Sequence, residues 1–258
     1  MKCYDGGGCQ PSSSIQRNMK LLLWNCRGLG RPLTIHNLRG ICKSYSPEVG
    51  FISETKNQSR QVEGKLRSCG FKEWFIVDLD GLSGGLAMAW KDGYTVQILQ
   101  HGRFFIAALV LTAGFNDPYS VLGVYLNSND QHRMAQFAEL TSVTQQFDGK
   151  VVLMGGFNAI FNQLEKEGGD AKSPSIETFN SFIDDNSLID IGMVGRPFTW
   201  LNRRRGDELI QERLDRFLVE VDWQQLYPNA TVLRLSESGS DHALLLLDSN
   251  PRTEQSKR

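Results

Sequence analysis

At 258 residues the chain is long enough for one sizeable hydrophobic core, and 40% hydrophobic with 22% charged residues excludes a disordered or membrane-embedded protein. A formal net charge of −1 excludes a global basic field, so any site for a polyanion must be a local patch. The five cysteines (Cys3, Cys9, Cys26, Cys42, Cys69) are odd in number and form no C-x-x-C pair, which argues against a disulfide framework or a zinc site and for a nuclear or cytoplasmic setting.

No apolar run is long enough to span a membrane, and residues 21–23 (LLL) are too short for the apolar region of a signal peptide, so the protein reads as not secreted. Residues 1–18, rich in Gly, Ser and polar groups, read as a flexible leader, 19–248 as one domain, and 249–258 as a polar, frayed tail. Residues 20–25 (KLLLWN) predict a first strand, ended by 26–30 (CRGLG). Pro32 stands where a helix can begin, with Leu33, Leu38 and Ile41 supplying its apolar face. Residues 48–53 (EVGFIS) predict a second short buried strand. Glu54 is the first charge after it, either solvated or placed for a metal.

Between 71 and 112 the runs FKEWFIVD, GLSGGLAMAWK, YTVQILQ and FFIAALVLT are punctuated by Gly81, Gly84-Gly85 and Asp92-Gly93, as in an antiparallel meander. Residues 119–125 (YSVLGVY) continue it. Met134, Phe137, Leu140 and Phe147 recur at helical spacing and need only a core-facing helix. Residues 151–154 (VVLM) predict a buried strand, Gly155-Gly156 lets the backbone turn sharply, and Phe157 and Asn158 follow as an apolar anchor and a side-chain amide.

The polar loop 162–175 carries Glu165 and Glu167, read as solvated, as is Asp130. Ile176, Phe179, Phe182 and Ile183 mark another amphipathic helix. Residues 198–201 and 209–219 read as strands joined by a loop bearing Arg203, Arg204 and Arg205, which are either solvated or placed to grip backbone phosphates. Residues 230–235 and 243–247 are the last strands. His36, His101 and His132 stand in no motif and read as structural or surface residues. Strands outnumber scattered helices and no linker divides the chain, so one α+β domain of two sheets with helices outside is expected.

Asn25, Glu54, Asn158 and Asp241-His242 each lie at the end of a short apolar strand. In a sheet sandwich such ends can converge on one rim. An acid with amides and a histidine suits metal-assisted phosphoester chemistry, and oxygen donors without cysteine suit Mg²⁺ or Mn²⁺. The motifs 23–30 (LWNCRGLG), 53–56 (SETK), 81–87 (GLSGGLA), 155–159 (GGFNA), 198–200 (FTW), 212–217 (ERLDRF) and 240–242 (SDH), in this order, resemble the endonuclease/exonuclease/phosphatase superfamily, specifically the endonuclease domain of plant non-LTR (LINE-type) retrotransposons.

The resemblance implies a four-layer α/β/β/α sandwich, two mixed sheets packed face to face with helices outside, and hydrolysis of phosphodiester bonds in duplex DNA by a monomer needing no cofactor beyond Mg²⁺ or Mn²⁺. It implies Glu54 as main metal ligand, with support from Asn25 and Asp241. Tyr125 would sit beside the phosphate, Asn158 would bind transition-state oxygens, and Asp215 would orient His242, which would touch the scissile phosphate. The family pattern Gly-Asp-Phe-Asn has Gly156 here in place of the Asp that aligns or deprotonates the attacking water. The reverse transcriptase usual in such elements does not follow, which leaves an isolated domain, a degraded element and a domesticated copy as readings.

Two functions result: a Mg²⁺-dependent endonuclease impaired at Gly156, and a catalytically inactive nucleic-acid-binding or interaction module on the same fold. A phosphatase acting on lipids or inositides fits these motifs poorly.

Overall fold

Strands that are apolar at every position bury both faces, one against a second sheet and the other under helices. In the computed structural model, which describes residues 18–80, 83–147, 149–169, 173–235 and 239–251, this is how the runs are used. The chain begins with β1 (Lys20–Asn25), α1 (Pro32–Tyr45), β2 (Val49–Ser53), α2 (Ser59–Ser68), β3 (Glu73–Asp80) and β4 (Ser83–Trp90). It continues through β5 (Tyr94–His101), β6 (Phe105–Thr112), β7 (Phe115–Tyr125), α3 (Asp130–Thr144) and β8 (Val151–Gly156). After β9 (Lys166–Glu167) come α4 (Ser173–Asp185), β10 (Leu188–Asp190), β11 (Trp200–Leu201), β12 (Gln211–Glu212), β13 (Asp215–Glu220), α5 (Val221–Leu226), β14 (Thr231–Arg234) and β15 (Leu245–Asp248).

Two six-stranded mixed sheets form, ordered β14-β15-β1-β2-β4-β3 and β10-β13-β8-β7-β6-β5, with a small third sheet β11-β12-β9. Between the large sheets lies a core of Leu21, Leu23, Phe51, Met88, Ile106, Val121, Val152, Met154, Phe217 and Trp223. The alternate residues Leu22, Trp24, Ile52 and Ala87 face outward, with Leu38 of α1 and Val62 and Leu66 of α2. On the far side Leu122, Val124 and Leu153 meet Phe137 and Leu140 of α3 and Phe179 and Phe182 of α4. This is the expected α/β/β/α sandwich. No helix among the described residues is long and apolar enough to cross a membrane.

Pro32 starts α1, but its buried face is Thr34, Leu38 and Cys42, while Leu33 is exposed. Asn129 caps α3 by accepting from Gln131 N, and Met134 faces solvent because Phe137, Leu140 and Val143 carry the packing stripe. Helices α2 and α5 and strand β10 are additions to the sequence reading. The single strand expected over 209–219 is broken at Arg213-Leu214. There the chain leaves the small sheet for the large one, and Leu214 O accepts from Phe157 N at 2.9 Å. Ser249, expected in a frayed tail, is buried, its Oγ accepting from Met19 N at 2.7 Å. Residues 1–17 of the expected leader, residues 252–258 of the expected tail and Gly81-Leu82 of the third motif lie outside the described residues.

The sheets approach closely where β2 faces β7. A Cβ on Gly123 would lie 2.2 Å from Cδ2 of the buried Phe51 ring. Gly123→Ala should therefore lower the unfolding free energy by about 1–3 kcal/mol. An unshifted urea midpoint would show that the ring has room to retreat.

Candidate active site

Strand register carries the polar residues to one rim. β1 and β2 run parallel with Asn25 opposite Ser53, which sets Asn25 and Glu54 side by side. β7 and β8 run parallel with Tyr125 opposite Gly156, and antiparallel β13 sets Asp215 opposite the same glycine. Pairing of Leu23 with Leu245 returns the chain from His242 to the Asn25 end of β1. The loops after β1 and β2 are laced together, Cys26 N to Ser53 O at 3.1 Å and Gly28 N to Glu54 O at 2.8 Å.

Glu54 is the centre. It is 4% exposed, so its charge must be met by protein groups. Oε1 accepts from Asn25 Nδ2 at 3.0 Å and from the Tyr125 hydroxyl at 2.5 Å. Oε2 faces Lys56 Nζ at 2.7 Å and Arg27 Nε at 3.7 Å. Burial alone would raise the carboxyl's pKa, but the bonds from Lys56, Tyr125 and Asn25 and the charge of Arg27 outweigh it and hold it at about 2. Burial and the adjacent carboxylate push the Tyr125 phenol well above its ordinary value, keeping it a donor.

Asn25 links this carboxylate to the histidine. Its Nδ2 also lies 3.3 Å from His242 Nε2, and its Oδ1 accepts from Arg27 N at 3.2 Å, so the amide nitrogen faces the two acceptors. His242 Nδ1 stands 2.7 Å from Asp215 Oδ2. In the tautomer that donates Nδ1–H to Asp215 Oδ2, Nε2 accepts from Asn25 Nδ2. The backbone beneath is pinned: Ser240 Oγ donates to Asn25 O at 2.7 Å, Trp24 Nε1 donates to His242 O at 3.1 Å, and the buried Thr199 hydroxyl accepts from Leu214 N and Asp215 N. Asp241 accepts from Trp200 Nε1 at 3.2 Å and faces Arg27 Nε at 3.4 Å.

Asn158 Nδ2 donates to Leu126 O at 2.5 Å. Arg27, Glu54, Lys56 and Asn158 all take positive φ, between 44° and 50°. Four left-handed non-glycine residues at one rim are backbone strain of the kind that gathers at functional sites. Asn158, Tyr125, Trp200, His242 and Arg27 line a cleft of about 230 Å³, and a neighbouring hollow of about 400 Å³ extends it past Glu54 and Tyr125.

Gly156 lies between Tyr125 and Asp215 without a positive φ, and a Cβ there would meet Asp215 Oδ1 at 3.2 Å and Tyr125 Cδ2 at 3.3 Å. That Asp215 oxygen is buried without a hydrogen-bond partner.

Thus Asn25, Glu54, Tyr125, Gly156, Asn158, Asp215, Asp241 and His242 share one rim. Arg203, Arg204 and Arg205 do not join them. They sit exposed in the β11–β12 loop, at the end of the small sheet away from Trp200, with Arg204 3.7 Å from Glu208 and Asn202 organising the turn. Arg27, Lys56, Trp200 and Thr199 are additions to the sequence reading. Each lies inside a motif, but only the folded contacts give it a role.

Glu165 is a correction: it is not a solvated loop charge. It meets Arg213 at 2.9 Å and the wholly buried Arg216 at 2.7 Å, and Asp190 meets both arginines at 2.7 Å. Asp130 likewise pairs with the buried Arg133 guanidinium.

Among the described residues no three His, Cys, Asp or Glu cluster as a metal cage. The donor chemistry nonetheless fits a hard divalent ion, because the Glu54 carboxyl is held ionised, Asp241 brings a second carboxyl to the same Arg27 nitrogen, and Mg²⁺ is commonly held by one or two carboxylates with water and substrate phosphate.

A profile of the endonuclease/exonuclease/phosphatase family matches residues 22–242, and the chain belongs to that family. Its fold is similar to that of the 3′ phosphatase NExo from Neisseria bound to a product DNA hairpin, at 21% identity and TM-score 0.67, covering 89% of this chain and 98% of that one. It is similar to the endonuclease domain of TRAS1, a telomere-specific non-LTR retrotransposon, at 14% identity and TM-score 0.69, covering 92% and 100%. An AP endonuclease from Archaeoglobus fulgidus gives 14% identity and TM-score 0.69, covering 89% and 98%. No curated protein sequence matches.

Because the Glu54 carboxyl is held at about 2 against an ordinary 4.5, its contribution is complete above about pH 5 and falls away as the pH drops toward 2. The shift corresponds to roughly 3 kcal/mol. Glu54→Gln should flatten this acid limb in a series of urea titrations from pH 7 to 2. An unchanged limb would mean the carboxylate is not held by these donors.

Proposed function

We propose that this protein is a divalent-metal-dependent phosphodiesterase acting on duplex DNA, of the retrotransposon endonuclease type, with its chemistry impaired at Gly156. The observation that carries the reading is the chain of contacts Tyr125–Glu54–Asn25–His242–Asp215 opening on one cleft. Two of the fold's neighbours, a DNA-bound phosphatase and a retrotransposon endonuclease domain, support the choice of substrate. A monomer in the nucleus or cytoplasm is part of the proposal.

Glu54, with Asp241, would hold the divalent ion, which when bound neutralises phosphate charge. Asp215 holds the His242 ring at Nδ1, and a proton carried at Nε2, in place of the contact with Asn25, would be donated to a phosphate oxygen gaining charge in the cleft. Asn158 adds an amide to the same cleft. No carboxylate stands at Gly156 to take a proton from an attacking water, and loss of a general base costs about 10²–10⁴ in rate. The same gap favours the second reading, a catalytically inactive nucleic-acid-binding module.

The protein should nick supercoiled plasmid slowly in Mg²⁺ or Mn²⁺ and not in EDTA. Gly156→Asp should raise that rate by about 10² or more. The backbone at 156 is not left-handed, and a Cβ there would lie 3.2 Å from Asp215 Oδ1 and 3.3 Å from the Tyr125 ring, side-chain atoms rather than backbone. The added carboxyl would lie beside Asp215, a like charge that raises the pKa of one of the two toward the range a general base needs. A folded Gly156→Asp protein that binds DNA without nicking would decide for the inactive module.

The arginine loop also carries Asp207 and Glu208, so its grip on DNA is weaker than three free arginines would give. Replacing Arg203, Arg204 and Arg205 with Ala should weaken duplex binding and reduce the salt slope by up to about three phosphate contacts. An unchanged slope would assign these residues to solvation of the turn.

A further inference from the structure

Glu54 and Asp241 arrive on different loops, and a guanidinium stands between them. Arg27 Nε lies 3.7 Å from Glu54 Oε2 and 3.4 Å from Asp241 Oδ1. The left-handed backbone at Arg27 is fixed by its own N–H on Asn25 Oδ1 and, one residue on, by Gly28 N on Glu54 O. Its side chain is 41% exposed and lines the cleft with His242 and Asn158. Asn25 and Tyr125 take Glu54 Oε1, Lys56 takes one side of Oε2, and Trp200 takes Asp241 Oδ2. The carboxylate faces that remain toward each other are those Arg27 bridges. Any cation drawn to these two carboxylates would meet the Arg27 charge beside both, and two cations repel strongly in a partly dehydrated gap.

We propose that Arg27 is the resident counter-cation of the Glu54–Asp241 pair, competing with divalent metal for both carboxylates and offering its outward N–H groups to a nucleic-acid phosphate when metal is absent. The inference rests on the reading of Glu54 as the metal carboxylate. It separates Arg27 from Lys56, which touches Glu54 alone. A guanidinium can bridge two carboxylates and still present donors to a phosphate, because its five N–H groups fan out in one plane.

The test measures Mn²⁺ binding by isothermal titration and electron paramagnetic resonance in the wild type and in Arg27→Gln, Arg27→Lys, Lys56→Gln and Glu54→Gln, with thermal unfolding to confirm folding. Duplex oligonucleotide binding is followed in EDTA across a salt series. Arg27→Gln should bind Mn²⁺ about tenfold more tightly, as expected for removing a like charge a few Å away. It should also lose about one phosphate contact of salt slope in EDTA. Arg27→Lys should stay near the wild type, and Glu54→Gln should lose more affinity than any other variant.

Unchanged or weaker Mn²⁺ binding by Arg27→Gln, no measurable binding by any protein, equal tightening by Arg27→Lys, or tightening by Lys56→Gln alone would overturn the inference. Plasmid nicking is not its readout. Tighter Mn²⁺ binding without nicking in any variant would sink the enzymatic reading and leave this one standing. Mg²⁺-dependent nicking with unaltered affinity would do the reverse.

Discussion

A carboxylate with almost no access to water cannot keep its charge unless the protein replaces its hydration shell. Glu54 is in that position, and each replacement comes from a different part of the chain: Asn25 from β1, Tyr125 from β7 in the opposite sheet, Lys56 and Arg27 from the two loops that close the rim. The requirement therefore acts across both sheets at once. It ties the end of β2 to the end of β7 through the Tyr125–Glu54 bond, and Glu54, Lys56 and Arg27, which meet there, all take left-handed backbone. Strain of order 1–3 kcal/mol per residue persists only where such contacts over-determine it.

A second group of buried charges steadies the other half of the rim. Arg216 is wholly buried, with its guanidinium 5.2 Å from the Phe179 ring centroid, and with Arg213 it meets Glu165 and Asp190 in a balanced set of two cations and two anions. Burial would raise the Asp190 carboxyl, but the two arginines hold it below its ordinary value. Arg216 also donates to Ala159 O, and Glu165 accepts from Phe161 N, so the cluster grips the segment just past Asn158. It grips the start of β13 as well, where Asp215 precedes Arg216. The positions of Asn158 and Asp215 are thus set from behind by an ion cluster that takes no part in the cleft.

The fold was legible where both strand faces are buried, because runs such as LLLW and VVLM have no other compact use. Helix α2 was not, since only Val62 and Leu66 of its ten residues are buried and no apolar stripe announces it. The break between β12 and β13 was hidden for another reason: Leu214 is apolar and buried, yet its backbone belongs to neither sheet. In the site, Asn25, Glu54, Asn158 and Asp241-His242 were legible as the ends of short apolar strands, Tyr125 and Asp215 were named only through the resemblance, and the register that sets them opposite Gly156 came from the structure. The partners of Glu165 and the bridging place of Arg27 depend on which loops meet in space, and local sequence carries no record of that.

The paired glycines at the end of β8 have different physical standing. At Gly155 a Cβ would lie 1.9 Å from Val124 O, so the close approach of β7 and β8 leaves no alternative to glycine. At Gly156 the nearest atoms are side chains at 3.2 and 3.3 Å and the backbone is not left-handed. The fold needs the first glycine and merely accepts the second. The Asp215–His242 pair keeps its geometry beside that glycine, and Asp215 Oδ1, the atom nearest a Cβ at 156, is buried without a hydrogen-bond partner.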